Sequence, residues 1–232
     1  MKKHTITTFL CVLSYALYAQ NGYMAFGYNL NFFSSEQMDF VVDRYNETRT
    51  FLDNEMEYPH MMDGFTMRIG GGDAVFADLG FSWKGDEINA YGTDLSNNSF
   101  ERNVKYTFSA WDLGVGLGLG ARRLIGIGYC FTFGNEKIYN RVASPEEIDN
   151  TDYDVVSKTF MLGGNVFLQI IAPLDDNVAI IFRPYFQMNY FNNDFAPLNA
   201  VINPNTFQND PDVLESKLKG FGFSACIGFG SF

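Results

Sequence analysis

The sequence predicts an all-β membrane protein: an eight-stranded antiparallel transmembrane β-barrel with a short helix in the first extracellular loop. Hydrophobic and small residues alternate with a period of two along most of the chain, which is the spacing of strands. Aromatic residues make up 17% of the sequence and glycine occurs 22 times. A narrow barrel accounts for both excesses, because bulky side chains face lipid while small ones fit the lumen.

The N-terminal segment has the layout of a secretory signal peptide. Lys2 and Lys3 form a basic start, and residues 9–18 form a short apolar core that is followed by a small residue. An apolar core of this length is too short to span a membrane as a helix. We therefore expect residues 1–19 to be a signal peptide and residues 20–232 to form the barrel domain.

The segment that begins at Trp111 shows the alternation most clearly. One face is bulky and apolar, and the other is almost entirely glycine. A soluble β-sandwich would expose charged residues opposite its buried face, so a run of glycine favours a membrane barrel. The bulky face carries Trp111, Leu113, Val115, Leu117 and Leu119, and the small face carries Asp112, Gly114, Gly116, Gly118 and Gly120.

Eight segments alternate in this way, and most reach the roughly 9–11 residues with which a tilted strand crosses a bilayer. An even number of strands closes the sheet and leaves no unpaired edge in lipid. Short and long connections alternate, as in outer-membrane barrels with short periplasmic turns, long extracellular loops and both termini in the periplasm. The predicted strands are residues 22–33, 64–72, 74–92, 103–120, 122–138, 153–172, 176–190 and 216–232.

The first long connection, residues 34–63, contains an amphipathic segment. Ser34 followed by Gln37 is a capping-box pattern, so a helix is expected to begin where the first strand ends. Its apolar stripe must bury against the barrel mouth, the outer-leaflet interface or a partner, and the mixed charge of its polar face favours the mouth or a partner. The stripe consists of Met38, Val41, Val42, Tyr45 and Leu52.

The last long connection, residues 191–215, is apolar for a loop that meets water. Exposed apolar residues with a polar rim suggest a contact surface, but the same residues can also fold back over the barrel mouth. Both long loops are therefore candidate binding surfaces. The apolar residues of this loop include Phe195, Leu198, Ile202 and Phe207.

Four charged residues are predicted to form a polar network in the barrel interior. Arg68 and Asp78 lie a few residues from the same short turn, and Asp112 and Arg183 lie near mid-depth. These charges are expected to pair, because an unpaired buried charge is costly. An eight-stranded barrel is just wide enough for side chains to fill, which favours a packed interior over a narrow ion path or proton relay.

The composition argues against several classes of function. The chain has 27 acidic and 16 basic residues, so nucleic acid, which needs Lys and Arg at its phosphates, is not an expected partner. No His/Cys cluster has zinc spacing, and neither a metal nor a cofactor is expected. His60 with Ser34, Ser35 and Glu36 could place a Ser/His/acid combination at the barrel rim. These residues lie on loops that do not fix their geometry, so no enzyme activity is expected.

The sequence ends in Phe232. With its alternating segments, this ending resembles the outer-membrane β-barrel family, whose last strand commonly carries a terminal aromatic residue. Among eight-stranded members, the layout is similar to the OmpA/OmpX transmembrane type and to the PorT-like barrels associated with type IX secretion. The resemblance implies the outer membrane of a Gram-negative bacterium, contact with outer-membrane lipids, and recognition by the barrel-assembly machinery. Phe232 departs from the pattern, because it is out of phase with Phe229 and Ile227.

Three functions remain open at this point. The protein can be a structural or partner-binding subunit of a larger outer-membrane complex for secretion, uptake or envelope biogenesis, acting through its extracellular loops. It can be a narrow porin-like pore or transporter for small solutes or apolar molecules. It can also be a hydrolase that modifies lipid A at the barrel rim. A narrow lumen argues against the pore, and a single histidine outside the signal peptide argues against the hydrolase, so the first function is preferred.

Overall fold

A computed structural model describes residues 22–94, 96–120, 122–204 and 214–232. The expected signal peptide lies outside these residues. Eight long strands form an antiparallel barrel, and each corresponds to one of the predicted segments. The barrel strands are β1 (Gly22–Ser34), β3 (Met61–Gly72), β4 (Val75–Thr93), β5 (Ser99–Leu119), β6 (Ile125–Ala143), β7 (Asp154–Asp175), β8 (Val178–Asn189) and β11 (Lys219–Gly230).

The long connections contain short helices and short strands that the period-two pattern does not predict. Only α1 was expected among them. The short elements are α1 (Glu36–Glu47), β2 (Leu52–Asn54), a 3₁₀ turn (Ile148–Asn150), β9 (Asn193–Asp194), α2 (Ala196–Ile202) and β10 (Glu215–Ser216).

Neither α1 nor α2, nor any other helix within residues 22–94, 96–120, 122–204 and 214–232, has the length and apolar character needed to cross a membrane.

Strand pairing closes the barrel. The strands follow the order β4-β3-β1-β11-β8-β7-β6-β5, and pairing of β4 with β5 completes the ring. The first and last strands pair over most of their length, from Tyr23 opposite Gly230 to Ser34 opposite Lys219. The prediction of an eight-stranded antiparallel barrel with a short helix in the first long connection is confirmed.

The two ends of the barrel differ in their connections. One end, called the turn end, has the tight links after β3, β5 and β7, where Gly72 and Gly120 adopt positive φ angles of 139° and 75° that favour glycine. The opposite end, called the helix end, carries α1, α2 and the long connections.

The outer surface of the barrel carries a broad belt of exposed apolar side chains, called here the apolar band. On β5 it runs from Trp111 to Leu119, which matches the roughly 9–11 residues of a membrane-crossing strand. An apolar surface of this size around a closed barrel requires lipid, so the protein is an integral membrane β-barrel with the architecture of outer-membrane barrels. The band includes Phe26, Phe65, Trp111, Val115, Ile127, Phe160, Val166, Ile180, Phe186, Phe221 and Ile227.

Four adjacent strands continue beyond the apolar band at the helix end. Pairing of β3 with β4 stops at Asp63 opposite Gly85, whereas β4 and β5 remain paired up to Thr93 opposite Ser99. The protruding part is called the upper wall and comprises residues 86–93 of β4, 99–109 of β5, 136–143 of β6 and 154–159 of β7.

In the upper wall the chemistry of the two faces is reversed. The face that continues the lumen is mostly apolar, and the face that continues the apolar band is largely polar. The inner face carries Ile88, Ala90, Val104, Tyr106, Phe108 and Ile138, all buried.

Candidate functional site

Four strands bring the predicted interior charges together in the lumen. Arg68 on β3 donates to Asp78 Oδ1 on β4 at 3.3 Å and to Asp112 Oδ2 on β5 at 3.1 Å. Arg183, on the far side on β8, donates to the other oxygen of Asp78. All four side chains are buried, so the expected pairing takes the form of one continuous network.

The space around this network is filled. The Arg183 guanidinium lies 4.1 Å from the centre of the Phe167 ring and also donates to Gln169. On the opposite wall, a side-chain carbon at Gly114 would lie only 2.4 Å from Asp78 Oδ1. Glycine on the lumen face of β5 therefore makes room for the charged side chains that cross the barrel.

Two further charged residues lie at the top of the lumen, and the four-residue prediction did not include them. Lys84 donates to Gln187 Oε1 at 3.1 Å and sits 4.5 Å from the centre of the Phe108 ring. Glu136 accepts from Asn189 at 2.9 Å and from Asn193. The period-two phase of β4 and β6 already points both residues inward, so this signal could have identified them.

The loop helix α1 begins one residue later than the capping pattern indicated. Ser35, not Ser34, is the N-cap, and its hydroxyl accepts from the Met38 N–H at 3.2 Å. Ser34 still belongs to β1, where it pairs with Lys219. The Ser35 hydroxyl also bonds Ser216 at 2.8 Å, which ties the start of the helix to the segment before β11.

The apolar stripe of α1 packs inside the molecule, against the inner face of the upper wall. Helix α2 packs beside it and adds the apolar side chains of the last long connection. The two helices and the long connections around them are called the cap. Their buried apolar cluster, called the cap core, closes the helix end of the barrel. Its members from the two helices and nearby loops are Met38, Val41, Val42, Tyr45, Met56, Phe195, Leu198, Ile202 and Leu214.

This burial changes which surface can meet a partner. The predicted binding residues Met38, Val41, Val42, Tyr45, Phe195, Leu198 and Ile202 are each 1% exposed or less. The barrel mouth, one of the expected burial sites, covers them because the upper wall offers a matching apolar face. Leu52 lies on β2, beyond the end of α1, and is half-buried against the cap core. Phe207 lies outside the described residues.

Arg49 and Arg102 link the two helices to each other and to the upper wall. Two guanidinium groups contact the Tyr45 ring: that of Arg49 lies 4.0 Å and that of Arg102 lies 5.4 Å from the ring centre. Arg49 donates to the Ile202 carbonyl and Arg102 to the Val201 carbonyl, both on α2. Burial raises the pKa of Tyr45, consistent with its place in the cap core.

The opposite face of α1 is exposed and ordered by side-chain contacts. The Tyr58 hydroxyl donates to Asp43, and the Tyr58 ring stacks on His60 with centroids 5.4 Å apart. His60 Nε2 lies 3.1 Å from Asp39 Oδ1, and Phe40 is 42% exposed. These five residues, Asp39, Phe40, Asp43, Tyr58 and His60, are called the cap patch.

The residues considered for catalysis have other partners. Ser35 caps α1, Ser34 ends β1, and His60 bonds Asp39 instead of a serine. Glu36 is the first residue of α1. The geometry therefore places the histidine in the cap patch and the Ser35 hydroxyl at a helix start.

The turn end of the lumen is narrowed by aromatic residues. Phe232 stacks on Tyr23 with centroids 6.0 Å apart and packs against the buried cluster around Ile181. Its ring therefore lies beneath the barrel instead of facing lipid, which explains why it is out of phase with Phe229. A cavity of about 250 Å³ remains here, bordered by Phe76, Gln169 and Arg123.

Comparison with known proteins gives structural likenesses and no sequence family. No protein-family model matches the chain, and no curated protein matches it. Ail, the attachment invasion locus protein of Yersinia pestis, has 10% identity and a TM-score of 0.46 over 91% of this chain and 99% of its own.

Two further solved structures are similar over almost their whole length. OprG of Pseudomonas aeruginosa has 8% identity and a TM-score of 0.40, over 91% of this chain and 98% of its own. Neisserial surface protein A has 8% identity and a TM-score of 0.36, over 91% of this chain and 97% of its own. OprG is described as an outer membrane protein and the neisserial protein as a surface protein. The fold of this chain rests on its own strand pairing.

Proposed function

We propose that this protein is a non-catalytic outer-membrane barrel that presents its cap to a partner, as a structural or partner-binding subunit of an outer-membrane assembly for secretion, uptake or envelope biogenesis. The observation that carries this proposal is the cap core. It fixes two helices against the upper wall, so the cap is a rigid surface that is ready for binding without a change of shape.

The cap patch is the part of this surface best suited to a contact. It combines exposed aromatic rings with the carboxylates of Asp39 and Asp43, and these groups are held by mutual hydrogen bonds and stacking. Aromatic residues are enriched at binding hot spots. The charge of the two carboxylates favours a protein partner that offers basic residues around an apolar contact. The helix end then faces outside the cell and both chain termini lie in the periplasm, as short turns and long loops indicate.

The pore is the weaker alternative. Ion pairs from four strands cross the lumen, and the cap core fills its mouth. A barrel of eight strands leaves little room beside such side chains. A lipid A hydrolase is also disfavoured, because His60 pairs with Asp39 and the Ser35 hydroxyl is occupied by helix capping.

Affinity purification from membranes in mild detergent tests the proposal. We expect stoichiometric partners with the wild-type protein and their loss with the double variant Phe40→Ala/Tyr58→Ala, whose side chains are 42% and 44% exposed. Tyr91→Ala is the matched control, because Tyr91 is a similarly exposed aromatic residue at 47% on the outer face of the upper wall.

Recovery of the wild-type protein alone would overturn the partner-binding role, as would partners that the double variant retains. Conductance of the purified protein in planar bilayers would support the pore instead. A change in lipid A that depends on His60, seen by mass spectrometry of cells with and without His60→Ala, would support the hydrolase.

A further inference from the structure

A row of lysines follows the apolar band on three adjacent strands. Lys105 on β5, Lys137 on β6 and Lys158 on β7 face outward, and each is the first outward charge beyond the band on its strand. The last apolar residues before them are Trp111, Phe133 and Phe160.

The register brings the three lysines close together. Lys137 lies directly opposite Lys158 in the β6–β7 ladder. On the other side Lys137 pairs with Thr107, so Lys105 is its diagonal neighbour. Directly opposite residues on one face of a sheet have Cβ atoms about 4.5–5.5 Å apart, and like charges at that distance destabilise the sheet. These three residues are called the lysine row, and their mutual repulsion destabilises the sheet unless negative charges neutralise it.

The protein does not neutralise this charge itself. Within the described part of the chain, none of the three ammonium groups has a carboxylate within 4.0 Å. Glu87 is opposite Lys105 in the ladder, but its carboxylate accepts from Asn103, Arg141 and Tyr153. A positive cluster remains on a chain whose net charge is −11.

We infer that the lysine row binds the phosphate groups of a phosphorylated glycolipid in the outer leaflet. With the helix end outside, the row lies where the acyl region ends and the headgroups begin. Phe160, which is 60% exposed, borders the acyl chains, while the lysines reach the phosphates above it. Lysine is a common phosphate ligand, and anionic headgroups attract basic residues at this level.

This inference concerns the outer face of the upper wall, directly beyond the apolar band, and is independent of the partner proposed for the cap patch. Binding of the lipid can fail while partner capture succeeds, and the reverse is also possible. Both share one condition, that the helix end faces outward.

Native mass spectrometry of the purified full chain in detergent tests the inference, with bisphosphorylated lipid A as the probe. We expect the wild type to retain lipid A and the variant Lys105→Gln/Lys137→Gln/Lys158→Gln to bind it about 100-fold more weakly, as expected for three lysines at an anionic lipid surface. Lys217→Gln is the matched control, because Lys217 is an exposed lysine of the cap, outside the row.

Two further measurements keep the result interpretable. The triple Lys→Arg variant preserves charge and should retain lipid A, and heat-modifiable migration on gels shows that each variant is folded. Dephosphorylated lipid A should bind as weakly to the wild type as lipid A does to the glutamine variant. Equal binding of lipid A by wild type and glutamine variant, or equal binding of phosphatidylglycerol and lipid A by the wild type, would overturn the inference.

Discussion

The membrane part of the barrel and its upper wall are built from the same strands with opposite chemistry. On β4 the inward side chains change from Asp78 and Lys84 to Ile88 and Ala90, while the outward ones change from Phe81 to Glu87. The surrounding medium explains the reversal, because lipid favours an apolar exterior and water favours a polar one. A single strand can therefore form part of a membrane barrel with a polar interior and then part of a sheet with an apolar interior, as in water-soluble proteins.

The two interiors are stabilised differently as a result. In the membrane part, opposite charges compensate each other across a narrow lumen. In the upper wall, apolar area is buried beneath two helices. Substitutions in the charged lumen should therefore destabilise the whole barrel. Substitutions in the cap core should unfold the cap and leave the barrel closed.

The largest effect is expected for Asp78→Ala, because it leaves Arg183 buried without its carboxylate and removes one of the two carboxylates bonded by Arg68. Loss of one partner of a buried ion pair costs about 3–5 kcal/mol. Urea unfolding in lipid vesicles, followed by heat-modifiable migration, measures it. Asp176→Ala, at an exposed turn position, is the control.

A double variant sharpens this prediction. Asp78→Leu/Arg183→Leu removes both partners, so part of the lost stability should return. If the single and double variants unfold at the same urea concentration, the stability lost in Asp78→Ala does not come from the unpaired charge of Arg183.

The next largest effect is expected for Tyr45→Ala in the cap core. Removal of a buried aromatic side chain costs about 3 kcal/mol or somewhat more, and here the cost should fall on the cap. We expect faster proteolysis of residues 36–58, with barrel migration on gels unchanged.

Tyr45→Phe is the matched control for this experiment. Its hydroxyl is buried and has no hydrogen-bond partner among the described residues, so the phenylalanine variant should resist protease like the wild type. Loss of barrel migration in Tyr45→Ala would show that the two interiors unfold together.

A smaller effect is expected at the start of α1. Ser35→Ala removes the N-cap and should lower the stability of the cap by about 1 kcal/mol, whereas Ser34→Ala should have almost no effect. Hydrogen exchange of the α1 amides measures the difference. Equal protection in the two variants would mean that the Ser35 hydroxyl does not fix the helix start.

The smallest effect is expected for Lys84→Met, at the boundary between the two interiors. Lys84 is buried and has no carboxylate within 4.0 Å in the described ranges. Since methionine fills a similar volume without a charge to desolvate, stability should change by about 1 kcal/mol or less. A urea midpoint that falls as far as that of Asp78→Ala would show that Lys84 compensates Glu136 at longer range.

The barrel itself is predictable from local sequence. Strand phase determines which side chains face inward, so Arg68, Asp78, Asp112 and Arg183 can be assigned to the lumen. Their pairing follows because an unpaired buried charge is costly. The helix in the first long connection also follows from its 3.6-residue pattern. Its start was misplaced by one residue, because Ser34 and Ser35 both satisfy the capping preference and only pairing of Ser34 with Lys219 decides between them.

The surface against which the two helices pack cannot be predicted from the local sequence. Burial of Tyr45 depends on Arg102, Ile88 and Val104 from strands far along the chain, and a sequence pattern does not give their register. The same holds for the lysine row, because Lys137 meets Lys158 next to a register shift at Ile138 and Tyr139. A single-residue slip there would turn Lys158 to the other face.

The lumen network also has a consequence for how the barrel is made. Asp78 and Arg183 are 105 positions apart in the chain, so until β8 docks, Arg68 alone must compensate both Asp78 and Asp112 in the first half of the barrel. Contacts between such distant residues form late and slowly. Joining of the first and last strands is then the step that seals the charges away from lipid, and a half-assembled sheet gains little by entering the bilayer early.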